Sequence, residues 1–203
     1  MTIDDIMQAA PVIPVLVLDD SIDPVSLAET LVGAGLPVLE VTLRTPHALD
    51  AIRAMAAVPG AIVGAGTVLN SAMLDQALAV GSRFIVSPGL TEVLGRAAIA
   101  NGIPFLPGVA SAGDIMRGLD LGLDRFKFFP AEAAGGLKAL NSLAGPFDAV
   151  RFCPTGGITL DNAPAWLAHP SVRCVGGSWI VRAGETDRAA IAQRARAVAH
   201  LKR

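Results

Sequence analysis

The chain has no tyrosine, only two cysteines and only three lysines among its 203 residues, and aromatic side chains make up just 4% of it. Charged residues are also scarce, at 17% against a usual share of about 25%, while apolar residues reach 52%. That balance excludes a disordered chain and predicts a core that is large relative to its surface. Lys and Arg number 16 against 18 Asp and Glu, and no basic block is present to neutralise a phosphate backbone. Nucleic-acid binding is therefore not expected. Long apolar runs are missing too: stretches such as Ala9 to Leu18 fall short of the ~18 residues that span a bilayer, and they contain proline. No membrane association is expected. Asp4 and Asp5 stand where a secretory leader carries Lys or Arg. Cys153 and Cys174 lie in apolar strand-like runs without the spacing of a disulfide framework. Together these absences predict a soluble protein of the reducing cytoplasm. A mean hydropathy of +0.54 points either to apolar surface covered in an oligomer or to a thick core.

Chemical motifs are absent in an equally informative way. His47, His169 and His200 have no ligand spacing, and none follows a predicted strand, so no metal centre is expected and metal-dependent aldol chemistry is disfavoured. Neither Gly66 nor the Gly156-Gly157 pair belongs to a GxGxxG fingerprint, and there is no Walker motif. No cofactor is expected.

What is present is a repeat. Eight short runs rich in Val, Ile, Leu and Phe begin near Val12, Pro37, Ala61, Arg83, Ile103, Arg125, Ala149 and Val172, at separations of 20 to 25 residues. That is the length of one strand, one crossover helix and two short loops. Helix boundaries fall between the runs. Asp23-Pro24 reads as N-cap and first helical residue, Gly33 or Gly35 as the stop, Ser71 and Gly81 as the limits of another helix, and Asn101-Gly102 as the end of the next. Near-continuous apolar strands alternating with helices imply a parallel sheet buried on both faces, either an open doubly wound sheet or a closed barrel. Eight units favour closure. The expected fold is α/β, a single-domain (β/α)8 TIM barrel over residues 1–203, with a leading helix at about 3–10, the barrel at about 12–181 and a closing helix at about 187–201.

In such a barrel, chemistry sits at the carboxyl ends of the strands. Period-two alternation along Val38-Leu39-Glu40-Val41-Thr42 turns Val38, Glu40 and Thr42 inward, and Leu39 and Val41 toward the helices. Lys127, in Arg125-Phe126-Lys127-Phe128-Phe129-Pro130, is the sole lysine in a predicted strand. If Phe126 and Phe128 pack outward, Lys127 and Phe129 point into the barrel. An amine walled by apolar groups is neutral far more often than an exposed one, and a neutral inward amine is a nucleophile that forms a Schiff base with a ketone. The competing reading is a permanent ion pair between Lys127 and Glu40. Two glycine pairs, Gly156-Gly157 and Gly176-Gly177, end the last two strands, where backbone N–H groups meet phosphate in this architecture, although turns use such pairs as well. Arg44 offers a bidentate fork for a carboxylate and Thr67 a hydroxyl donor; both also have ordinary structural uses. Arg151 lies toward the amino end of its strand and is a poor site candidate.

The segments Leu39 to Thr45 (LEVTLRT), Gly64 to Leu69 (GAGTVL), Ser87-Pro88-Gly89, Lys127 to Glu132 (KFFPAE), Cys153 to Ile158 (CPTGGI) and Gly176 to Trp179 (GGSW) follow one another in order from about Val12 to Val181. In these the chain resembles the 2-keto-3-deoxy-6-phosphogluconate (KDPG) aldolases, also described as 4-hydroxy-2-oxoglutarate (KHG) aldolases. The resemblance implies a homotrimeric class I aldolase of the Entner-Doudoroff pathway, cleaving the phosphorylated keto acid to pyruvate and glyceraldehyde 3-phosphate. It implies Lys127 as the Schiff-base lysine and Glu40 as the group that moves protons. Arg44 and Thr67 would hold the pyruvyl carboxylate, and Pro88 and Phe129 would shape the pocket. Thr155, Gly156, Gly157, Gly177 and Ser178 would receive the aldehyde-side hydroxyl and phosphate. The alternatives are an aldolase for the epimeric 6-phosphogalactonate substrate and a non-catalytic phosphate-binding barrel. The tail from Arg182-Ala183-Gly184 departs from the commoner continuation, outside the expected site.

Overall fold

The computed structural model describes residues 1–202. Helix α1 (Ile3–Ala9) precedes β1 (Val12–Leu16), and α2 (Pro24–Gly33), β2 (Val38–Thr42), α3 (Ala48–Ala56), β3 (Ile62–Gly66) and α4 (Ser71–Ala79) follow. Next come β4 (Ile85–Val86), α5 (Glu92–Ala100), β5 (Phe105–Leu106), β6 (Gly108–Val109), α6 (Ala112–Asp120), β7 (Arg125–Phe128) and α7 (Gly136–Ala144). The chain ends on β8 (Arg151–Pro154), the short α8 (Ala163–Leu167), β9 (Val175–Gly177) and α9 (Arg188–Ala199).

All strand pairings are parallel. Six strands run in the order β5-β4-β3-β2-β1-β9 and three in the order β6-β7-β8. The two sheets are segments of one ring. At one seam β5 and β6 are a single strand position interrupted by Pro107, whose missing N–H breaks the ladder while its carbonyl still accepts from Lys127 N at 2.9 Å. At the other, isolated bridges Phe152–Val172 and Thr155–Gly176 join β8 to β9. The eight predicted strand positions thus close into a TIM-barrel-like fold. Among the described residues no helix is long and apolar enough to cross a membrane.

The helix signals act as read. Asp23 caps α2 by accepting from Val25 N and Ser26 N, with Pro24 in the first turn. Asn70 caps α4, and Gly102 leaves α5 at φ +63° beyond the C-cap Asn101. Asp187 proves to be the cap of α9 rather than its first residue.

Alternation separates two cores. Leu39, Val41, Phe126 and Phe128 face outward into the layer between sheet and helices. Ile13, Val38, Phe84, Val86, Leu106, Cys153 and Cys174 fill the barrel interior, and Ile6 and Met7 of α1 join them. Helix α1 therefore plugs the amino end. Its capping box pairs Thr2 with Asp5, and Asp4 reaches Arg125 at the start of β7. Partial burial pushes the Asp4 carboxyl up, but hydrogen bonding and charge from Arg125 outweigh it and hold the group below its ordinary range. Its contribution is thus present above the ordinary carboxylate pKa and is lost as pH falls through the lowered one. Met7 is fully buried. Met7→Ala is expected to destabilise the fold by about 2–5 kcal/mol in a denaturant melt, because the plug cannot collapse into the gap; a change below 1 kcal/mol would show that α1 does not seal the barrel.

Candidate active site

A cavity of about 300 Å³ opens at the carboxyl ends of the strands. Its floor is set by alternation on β2 and β7, which turns Glu40 and Lys127 inward to 3% and 7% exposure. Lys127 Nζ donates to Glu40 Oε1 at 3.1 Å and lies 3.5 Å from Oε2. The amine also stands 5.4 Å from the centre of the Phe129 ring. Two ionisable groups are thus held within proton-transfer reach in a largely apolar surround, an arrangement that suits chemistry better than stability, since buried ion pairs rarely stabilise a fold.

Inward glycines on β3 provide the room. A Cβ at Gly64 would strike the Phe84 ring at 2.5 Å, and one at Gly66 would lie 2.3 Å from Glu40 Oε1. Gly66→Ala must therefore push the carboxylate off the lysine. The expected result is a fall of about tenfold or more in kcat with the fold retained, read by steady-state kinetics beside a thermal melt; unchanged kcat would mean that the Glu40 position is not critical.

The upper wall is polar. Thr42 Oγ1 donates to Leu16 O at 2.9 Å and accepts from Arg44 Nε at 3.2 Å, which fixes the guanidinium over the cavity. Among the described residues Arg44 has no carboxylate partner, so its remaining N–H donors are available to an anion. Thr67, just past β3, sits at φ +60°, left-handed backbone that a β-branched residue enters only under strain. Strain retained at a cavity wall is a mark of function, and Thr67 lines this cavity with Pro88 and Phe129.

The loops after β8 and β9 close the far side. Thr155, Gly156, Gly157 and Ser178 line the cavity there. Gly156 and Gly157 take φ of +99° and +78°, so their conformation suits glycine. Gly177 differs from expectation: the cavity is lined by Gly176, whose Cβ would lie 2.3 Å from Thr155 Oγ1, while a Cβ at Gly177 would point into the Trp179 ring at 2.3 Å. Strand alternation explains it, since only one of two successive residues on β9 faces the axis. Val15, Thr42 and Ile158 also line the cavity. Thr42 shares the inward phase of Glu40, which is the signal that could have marked it. Arg151 lies away from the site, donating to the carbonyls of Asp148 and Val150. Among the described residues no group of three His, Cys, Asp or Glu side chains is placed to hold a metal ion.

The chain is similar to known proteins over nearly its whole length. The family described as KDPG and KHG aldolase matches residues 3–194. The 2-dehydro-3-deoxy-phosphogluconate aldolase of Zymomonas mobilis is 61% identical, covering 99% of this chain and 97% of its own length. A crystal structure of the 2-keto-3-deoxy-6-phosphogluconate aldolase of Z. mobilis ZM4 with 3-phosphoglycerate superposes with a TM-score of 0.97 at 61% identity, over 99% of this chain and 96% of that one. The KHG/KDPG aldolase of Escherichia coli K12 is 52% identical over 91% of this chain and 90% of its own. A Legionella pneumophila KDPG aldolase, captured with pyruvate at low pH as a covalent carbinolamine intermediate, is 43% identical with a TM-score of 0.95, over 98% of both chains.

Proposed function

The chain belongs to the KDPG and KHG aldolase family, and from that premise we propose that it cleaves 2-keto-3-deoxy-6-phosphogluconate to pyruvate and glyceraldehyde 3-phosphate as a class I, Schiff-base aldehyde-lyase, and also acts on 4-hydroxy-2-oxoglutarate. The observation that carries this reading is the buried Lys127–Glu40 pair at 3.1 Å, at the floor of a cavity whose rim offers a cation on one side and glycine turns on the other.

Lys127 passes a proton to Glu40 and its free amine attacks the C2 ketone. The nitrogen's extra proton moves to the new alkoxide, Glu40 gives its proton to the resulting hydroxyl as it leaves as water, and an iminium forms beside the regenerated carboxylate. Arg44 and Thr67 hold the substrate carboxylate, and Pro88 and Phe129 shape the pocket around the pyruvyl part. Glu40 takes the C4 hydroxyl proton as the C3–C4 bond breaks, and the electron pair of that bond passes into the iminium to give an enamine, not a free carbanion. Glyceraldehyde 3-phosphate departs. Glu40 then returns a proton to C3, and water hydrolyses the imine to release pyruvate and regenerate the amine. Thr155, Gly156, Gly157 and Ser178, with the Gly176-Gly177 backbone, receive the aldehyde-side hydroxyl and the phosphate. A phosphate ester bound to the Z. mobilis relative and a pyruvate adduct on the Legionella relative support the two halves of this assignment.

Borohydride added with pyruvate tests it: one reduced pyruvyl group should appear on the Lys127 peptide by mass spectrometry, and pyruvate should be released from KDPG faster than from its 4-epimer. No adduct would end the Schiff-base reading, and preference for the epimer would reassign the substrate.

The reading extends to assembly and location. The enzyme acts as a homotrimer in the cytoplasm, within the Entner-Doudoroff pathway. Val93 and Ile99 on α5 and Met116 and Leu119 on α6 are exposed apolar side chains that association would cover. Light scattering on the eluted protein checks the subunit number.

A further inference from the structure

The Lys127 to Glu132 segment ends on a carboxylate that the mechanism above does not use. Glu132 lies in the loop after β7, yet its contacts run to the loop after β8 and to α8. Its Oε1 accepts the Trp166 Nε1–H at 2.9 Å and an Asn162 Nδ2–H at 3.2 Å. Asn162 Nδ2 also donates to Gly157 O at 3.0 Å, while Asn162 Oδ1 accepts from Thr159 N at 2.8 Å. The backbone adds Glu132 N to Gly156 O at 3.1 Å and Ala131 N to Thr155 O at 2.8 Å. Every residue from Thr155 to Gly157 is therefore tied, directly or through Asn162, to the loop that carries Glu132.

The anchor of this network is rigid. Trp166 is 1% exposed, and its ring packs 6.2 Å from that of Phe128, the neighbour of Lys127. A buried indole N–H needs an acceptor, and Glu132 supplies it. The carboxylate stem also fits against the glycine turn so closely that a Cβ on Gly157 would lie 2.6 Å from Glu132 Cγ. Side chain, indole and amide thus fix the path of the two glycines relative to the strand bearing the amine.

We infer that Glu132 is a positioning residue for the phosphate end of the substrate. It holds the Gly156-Gly157 turn at the right distance from Lys127 and touches no reacting atom. This rests on the assignment of that turn to the phosphate, as proposed above. A role confined to anchoring Trp166 would affect folding alone. A role in setting the turn affects phosphorylated substrate selectively.

Steady-state kinetics on KDPG and on phosphate-free 4-hydroxy-2-oxoglutarate separate the two. Glu132→Ala and Asn162→Ala are each expected to raise KM for KDPG by about tenfold or more, with kcat within about threefold and KM for the phosphate-free substrate within about threefold. Glu132→Gln keeps an acceptor oxygen and is expected to recover most of the KDPG loss. Equal KM changes for the two substrates, a fall confined to kcat, no change, or Glu132→Gln as impaired as Glu132→Ala would each overturn the inference. If Glu132→Ala does not fold, Asn162→Ala decides by the same readout, because it leaves the Trp166–Glu132 contact in place. Wild-type cleavage of KDPG, measured alongside, shows whether the aldolase reading itself stands.

Discussion

Lys127→Met is expected to lose KDPG cleavage by at least about 10⁴-fold, the scale on which removal of a covalent nucleophile acts in other enzymes. Methionine roughly matches the aliphatic stem in length and volume but has no amine to attack the C2 ketone. The same variant should give no adduct with pyruvate and borohydride. Its stability needs separate measurement, because Glu40 is 3% exposed and loses the one cation paired with it. Removing a single partner of a buried pair costs about 3–5 kcal/mol unless the orphaned group takes up a proton. Replacing both partners avoids that cost, since apolar side chains of similar volume are often neutral or stabilising in such a place. Lys127→Met/Glu40→Leu is therefore expected to melt at or above the single variant and to remain inactive. That pairing of results separates a catalytic pair from a structural one: cleavage and adduct formation surviving in Lys127→Met, with only the melt affected, would assign the lysine to the ion pair alone.

The placement of that lysine was legible because alternation is a strong rule. With Phe126 and Phe128 turned outward, no phase of β7 could put Lys127 anywhere but inside. Glu40 followed from the same rule on β2, and the strand count followed from the spacing of apolar runs. Other features depend on contacts between segments distant in sequence, which no local pattern encodes. The break of the fifth strand position at Pro107 is one, since a proline in an apolar run does not reveal whether its neighbours keep their pairing. The choice of Gly176 over Gly177 is another: two adjacent glycines carry no side chain to betray which faces the axis. The plug formed by Ile6 and Met7 shows in the sequence only as a leading helix, because its apolar face says nothing of the interior it seals. The strain at Thr67 is a backbone property set by the folded path of the chain, which no residue type in the segment announces. The role inferred for Glu132 needed three segments brought together by the closure of β7 on β8.

Glu40→Gln is expected to slow exchange of the pyruvate methyl protons with solvent by about 10²-fold or more, while borohydride still traps pyruvate on Lys127. The two readouts divide the mechanism at the imine. Exchange requires a base to take a proton from the methyl carbon of the iminium and an acid to return one to the enamine. A carboxylate does both, whereas an amide of the same shape does neither. Trapping requires only that the amine reach its neutral form and attack, which solvent can assist slowly. The cavity sharpens the test, because among the described residues Glu40 is the sole carboxylate on its lining and no histidine joins it; the remaining polar side chains there are Arg44, Lys127, three threonines and Ser178. Deuterium uptake into the methyl group, followed by NMR, reads the exchange directly. If uptake in Glu40→Gln matched the wild type, the proton would have to travel through solvent or the lysine itself, and the inward carboxylate of β2 would be left with no task but holding the amine in place.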